Sequence, residues 1–87
     1  LAAGIAQAAF HYSLVAGREA LHISAVSEAI VHFERARQIM QETLPSKMPG
    51  KMDVTDLYQQ LGRLYKSGDQ TEKALVLEAE RKNILGE

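Results

Sequence analysis

The fold is indicated most clearly by residues 58–74, which read YQQLGRLYKSGDQTEKA. Large apolar side chains lead into this stretch at intervals of three and four, the spacing that places them on one face of a helix. They are Val54, Leu57, Tyr58, Leu61, Leu64 and Tyr65. Gly68 is the residue type that most often ends a helix in the left-handed conformation. Asp69 and Glu72 have the spacing of a capping box, so a second helix is predicted over about 70–85.

This last helix has the weakest apolar face of the chain. Its predicted inward residues are Ala74, Leu75, Leu77, Ile84 and Leu85, and Glu78 and Arg81 interrupt them. The two segments together predict a helical hairpin.

Two more helices are predicted before residue 45. The first, about 5–23, is apolar over most of its circumference, so we expect it to be buried on more than one side. Its two stripes are Ile5, Ala9, Tyr12, Ala16, Ala20 and Ile23, and Ala6, Phe10, Leu14, Gly17 and Leu21. Ser24 is a candidate N-cap for the second helix, about 25–43. The inward residues of that helix are Val26, Ala29, Ile30, Phe33, Ala36, Met40 and Leu44.

Pro45, Pro49 and Gly50 make residues 45–52 the one clear break, which we interpret as a surface loop. Asp53 is expected to open the third helix, where its charge suits the helix dipole. The predicted fold is therefore all-α, with four helices in two antiparallel hairpins at about 5–44 and 53–85. Eighty-seven residues are too few for two domains, so we expect 1–87 to be one helical domain. Because the sequence starts at Leu1, we expect it to be a fragment of a larger protein.

The second hairpin resembles a tetratricopeptide (TPR) repeat. The resemblance lies in Tyr58, Leu61, Gly62 and Tyr65, followed by Gly68-Asp69 and by Ala74. The turn departs from the family pattern by one residue fewer before Gly68 and one more before Ala74.

The first hairpin matches the TPR pattern less fully. Its matching residues are Gly17, Ala29, Phe33 and Ala36, whereas Ser13 and Ala20 replace two large residues of the family. In the second hairpin, Glu78 and Arg81 replace the family's later aromatic and small residues. The resemblance covers about 5–85 and implies that the hairpins stack as α-solenoid repeats.

A narrower resemblance concerns residues 12–21 and 24–36. They are similar to a sequence segment that is common in large bacterial signalling proteins, the predicted ATPases and maltose-activator-like regulators. The alternative function is therefore a coupling or sensor segment of a nucleotide-dependent signalling or transcription regulator.

The leading hypothesis is a non-catalytic protein–protein interaction or scaffolding module. The TPR resemblance implies a concave binding face, and its candidate residues are positions of the first and third helices that we expect to be exposed: Ser13, Arg18, Gln59 and Arg63. The partner would be a protein or peptide, flanking repeats of the parent protein, or a second copy. Because two repeats leave apolar surface uncovered, we expect the isolated chain to self-associate.

Other classes of function find little support in the sequence. The three histidines, His11, His22 and His32, lack the spacing that places two metal ligands on one helix face. Gly50-Lys51 lacks the remaining residues of a phosphate-binding loop. No acid, base and oxyanion donor can be assembled, so we predict no enzyme activity, no metal and no cofactor. No apolar stretch reaches the length of a membrane span, and we expect a cytoplasmic protein that does not associate with membranes.

Nucleic-acid binding is also unfavourable. The sequence contains ten Lys and Arg and eleven Asp and Glu, which gives a formal net charge of −1, and no region is strongly basic. A helix-turn-helix reading of residues 57–85 is a less favoured alternative. Glu72, Glu78 and Glu80 would oppose DNA phosphates there.

Overall fold

A computed structural model describes residues 3–42 and 50–86, and these residues are helical apart from short turns. Four helices follow one another: α1 (Ala3–His22), α2 (Val26–Gln41), α3 (Lys51–Ser67) and α4 (Thr71–Leu85). No strand occurs in the described ranges. The all-α prediction and the two helix hairpins, α1–α2 and α3–α4, are confirmed. The chain divides into two compact units, Leu1–Pro49 and Gly50–Glu87, and each contains one hairpin. The stacking of the hairpins as a solenoid stays a prediction.

The two hairpins turn in the same way. After α1, the amide of Ser24 donates to the carbonyl oxygen of Leu21 at 3.0 Å, and the amide of Ala25 donates to that of Ala20 at 2.7 Å. This pair of bonds is the Schellman arrangement, which satisfies the last carbonyls of a helix. The same two backbone bonds occur 45 residues later, after α3. The amide of Asp69 donates to the carbonyl oxygen of Lys66 at 3.2 Å, and the amide of Gln70 donates to that of Tyr65 at 2.7 Å.

The turns correct two details of the sequence prediction. Ser24 is not an N-cap, because it has φ 61° in the left-handed region, and the cap position is Ala25 with no side-chain hydrogen bond. Likewise the left-handed residue after α3 is Asp69, with φ 63°, whereas Gly68 has φ −90°. No capping box forms either, since Gln70 is the cap residue and its side chain makes no capping bond. In both turns the residue after the left-handed one is also the N-cap position of the next helix, and neither Ala25 nor Gln70 is a residue type that caps well.

In the α1–α2 unit, the predicted stripe of α1 that includes Phe10 and Leu14 is buried apart from half-buried Leu21, and of the other stripe only Ala20 is buried. The buried apolar side chains are Ala6, Phe10, Leu14, Ala20, Ala29, Phe33, Ala36 and Met40. The other stripe is largely exposed: Ile5 is 57% accessible, Tyr12 is 69% and Ile23 is 74%. The prediction that α1 is buried on several sides is therefore wrong within this chain, because one neighbouring helix covers only one face. Val26, predicted to point inward, is also exposed, and Leu44 lies outside the described residues.

In the α3–α4 unit, the predicted face of α3 is confirmed, with Leu64 only half-buried. The buried side chains are Val54, Leu57, Tyr58, Leu61 and Tyr65 on α3 and Ala74 and Leu77 on α4. Helix α3 begins at Lys51, two residues before the predicted start, because Gly50 takes extended backbone as the N-cap residue. The predicted loop 45–52 is thus too long at its end, and residues 45–49 lie outside the described residues.

Helix α4 has a thin apolar face. Leu75, predicted to be inward, is exposed, and Ile84 and Leu85 are half-buried. Polar contacts add to the packing of α4 against α3. The Tyr58 hydroxyl donates to Oε2 of Glu80 at 2.8 Å, and Nζ of Lys73 lies 5.5 Å from the centre of the Tyr65 ring.

Candidate binding surface

The four candidate binding residues have different environments. Ser13 is 1% accessible, so the expectation that it is exposed is wrong. It lies three residues after Phe10 and four before Gly17, and this spacing places it on the buried face of α1. Arg18, Gln59 and Arg63 are exposed as predicted. Gln59 and Arg63 lie together on α3, along one side of a groove.

The groove runs between α3 and α4 and has a volume of about 400 Å³. Its apolar floor consists of Tyr58, Ala74 and Leu77, which are at most 4% accessible. Gly62 also lines it and is half-buried. A pocket with an apolar floor and polar edges is the usual form of a binding site for a small group or side chain.

The space above Gly62 is open. A Cβ atom built on Gly62 would meet no atom within 4 Å. On the first hairpin the equivalent residue, 45 positions earlier, is Gly17, and there a Cβ would lie only 2.5 Å from Cε1 of Phe33. The ring of Phe33 therefore rests directly on the backbone of α1, and Phe33 is fully buried.

The groove exists because Glu78 takes the position of Phe33. Both residues lie four positions after the alanine that opens the buried face of their helix, Ala74 and Ala29 respectively. The carboxylate of Glu78 does not fill the groove, since it is exposed and Oε1 lies 3.9 Å from Nζ of Lys82. A ring packs over the glycine in one hairpin, and the same place is open in the other.

The rim of the groove is basic. Arg63, Lys66 and Arg81 line it together with one acid, Glu78. Three cations and one carboxylate give this rim a formal charge of +2, although the whole chain carries −1. Such a local field favours an anionic partner, more through specificity and rate of encounter than through raw affinity.

A second surface feature is the exposed apolar stripe of α1, which we define as Ile5, Ala9, Tyr12, Ala16 and Ile23. Successive members are three, four or seven residues apart, so they share one side of the helix and the turn that follows it. Ala9 and Ala16 are half-buried, and the three large side chains are mostly accessible. Apolar residues in such a row are typical of surfaces that another protein covers.

We also searched the described residues for metal-binding clusters and membrane-spanning helices. Within residues 3–42 and 50–86, no group of three or more His, Asp or Glu side chains is placed to hold a metal ion. His22 and His32 do line a shared surface hollow of about 500 Å³ with Glu19 and Glu28. Across the same described ranges, no helix is both long and apolar enough to cross a membrane.

Comparisons with known proteins add no relative. No protein-family model matches the sequence, and no curated protein or solved structure matches it. The TPR resemblance therefore stays a prediction from the residues that carry it. The groove is not predicted by the sequence analysis, although one residue of the sequence indicates it. Glu78 and Arg81 depart from the family pattern, and the departure at Glu78 leaves the space above Gly62 open.

Proposed function

We propose that this chain is a non-catalytic protein–protein interaction or scaffolding segment of the TPR type. The observation that carries the proposal is the exposed apolar stripe of α1. Tyr12 and Ile23 are each about 70% accessible, and a folded protein loses roughly 25 cal/mol of hydrophobic free energy for each Å² of apolar area left in water. Covering this stripe is therefore favourable. Its partner is a neighbouring helix from flanking repeats, a target protein or a second copy of the chain.

The TPR resemblance supports the same function. Repeats of this kind cannot each bury their apolar faces alone, and neighbouring repeats supply the missing contacts. In the α1–α2 hairpin, one face of α1 is buried and the adjacent face carries the stripe. Two apolar faces on one helix are what a repeat inside a longer array requires.

The proposal is tested by the mass of the purified chain in solution. At increasing concentration, light scattering after size exclusion should show a mass rising from 9.6 kDa toward that of a dimer. Tyr12→Glu should shift this transition to at least tenfold higher concentration, because it puts a charge in the stripe. His11→Glu is the matched control, since His11 is exposed on the same helix but lies outside the stripe.

Two outcomes would contradict the proposal in the form that the chain alone can test, which is self-association through the stripe. One is a mass that stays at 9.6 kDa up to millimolar concentration. The other is an equal effect of Tyr12→Glu and His11→Glu, which would indicate a general charge effect with no role for the stripe.

A further inference from the structure

The geometry points to a docking site for an aromatic side chain in the α3–α4 groove, on an acidic segment of a partner protein. This inference rests on the proposed interaction function and names a different surface from the α1 stripe. Its ligand is a phenylalanine-type ring flanked by Asp or Glu residues. The ring is expected to lie over Gly62, and the acids to lie beside Arg63, Lys66 and Arg81.

The first hairpin shows what fits this place. Its turn repeats the hydrogen bonds of the second hairpin 45 residues earlier, so the two helices of each pair have the same register. In that register Gly17 corresponds to Gly62, and Phe33 corresponds to Glu78. The ring of Phe33 lies over Gly17, where an added Cβ would be 2.5 Å from Cε1 of the ring. A ring supplied by a partner would find the equivalent backbone at Gly62 uncovered.

The floor of the groove suits a ring. On its floor, Tyr58 of α3 and Leu77 of α4 are apolar and almost fully buried, and Ala74 is small enough to leave room between the helices. The volume of about 400 Å³ exceeds that of one aromatic side chain, so the ring and part of its backbone can enter together. Aromatic residues are also the side chains that anchor protein interfaces most often.

The charges of the rim decide which kind of segment carries the ring. Arg63 and Lys66 follow one another along α3 on one side, and Arg81 lies on α4. Glu78 is the one acid on the rim, and its carboxylate lies near Lys82. Carboxylates next to the ring would meet these three cations, whereas lysines or arginines there would be repelled.

The test uses the whole 87-residue chain and a fluorescein-labelled peptide, GDEDFEEDG, titrated by fluorescence anisotropy. We expect saturable binding with a dissociation constant below about 1 mM, the weak range that one anchoring residue can give. The peptide GDEDAEEDG, which lacks the ring, should bind at least tenfold more weakly. The peptide GKRKFKRKG, which has the ring but basic flanks, should also lose at least tenfold.

A variant that fills the groove makes the test specific. Glu78→Phe places a ring where Phe33 lies in the first hairpin, so it should weaken binding of GDEDFEEDG at least tenfold. The substitution removes an acid from the rim, and that change alone would strengthen binding of an acidic peptide. A loss of binding therefore reports occupancy of the groove. The matched control is Leu75→Phe, which adds a ring at an exposed position of the same helix and should leave binding unchanged.

Several results would overturn the inference. They are an absence of saturable binding up to about 1 mM, equal binding of the two acidic peptides, and equal effects of Glu78→Phe and Leu75→Phe. Loss of self-association in Glu78→Phe would assign the groove to a second copy of the chain instead. The proposed function is judged separately by Tyr12→Glu, so it can stand when the groove fails, and the reverse also holds.

Discussion

Gly17 and Gly62 occupy equivalent positions in α1 and α3, but their surroundings differ. Gly17 is required, because the Phe33 ring leaves no room for a Cβ atom. Nothing comparable restricts Gly62, whose Cβ would meet no atom within 4 Å. The same residue type thus permits close packing in one hairpin and leaves open space in the other.

Alanine at these two positions should have opposite effects on stability. Gly17→Ala forces a methyl group against a fully buried ring, and we expect a net loss of about 1–2 kcal/mol after the gain in helix propensity. Gly62→Ala should raise the free energy of unfolding by about 0.5–1 kcal/mol, because glycine in a helix interior is less favourable than alanine. Urea unfolding followed by circular dichroism measures both. Equal effects of the two substitutions would contradict the packing described here.

At the scale of the elements, the turns between helices are defined by Ser24 and Asp69. Each has a positive φ, near 60°, in a conformation that costs any L-residue free energy, although short polar side chains tolerate it better than most. Glycine stands beside only one of them, at position 68, with φ −90°. The sequence therefore has its glycine one residue before the place where the backbone turns left-handed.

Substitutions around the second turn test whether Asp69 or Gly68 is the left-handed residue. Asp69→Gly should raise the free energy of unfolding by about 0.5–1 kcal/mol, and with it the thermal midpoint, because glycine adopts the left-handed conformation without steric cost. Gly68→Ala should change stability by less than about 0.5 kcal/mol, since the added Cβ would approach the carbonyl oxygen of Leu64 only to 3.4 Å. Thermal unfolding followed by circular dichroism gives both values. If Gly68→Ala were the strongly destabilising change, Gly68 would be the left-handed residue after all.

At the scale of the whole molecule, the two units are unequal in what their second helices bury. Helix α2 buries Ala29, Phe33, Ala36 and Met40, whereas α4 buries only Ala74 and Leu77. A helix with few buried apolar contacts opens at a lower free energy than one anchored along its length. We therefore expect the α3–α4 unit to be the less stable of the two.

Amide hydrogen exchange should show this difference directly. We expect the amides in the middle of α4 to exchange at least tenfold faster than those in the middle of α2, because α4 opens more often. In Glu78→Phe, protection of α4 should rise toward that of α2, since a ring then covers Gly62. Leu75→Phe is again the control and should leave α4 protection as it was. Equal protection of α2 and α4 in the unmodified chain would contradict the expectation.

Much of the architecture follows from the sequence alone. Apolar residues at intervals of three and four define four helices, and the buried face of α3 was predicted almost residue by residue. Pro49 and Gly50 separate the hairpins, since neither residue favours the interior of a helix. These features are local, because helix periodicity and chain breakers act within a few residues. The TPR resemblance and the interaction function belong to the same level and stay predictions.

Tertiary structure decided which of the possible faces is used. α1 has two apolar stripes of similar length, and only packing against α2 selects the one that includes Phe10 and Leu14. For the same reason Ser13 is buried and Tyr12 is exposed, although the sequence predicts the reverse. The groove over Gly62 depends on a ring that is present on α2 and absent from α4, a relation between residues far apart in the chain. Local patterns specify helices, but burial and open space depend on which side chain arrives from the neighbouring helix.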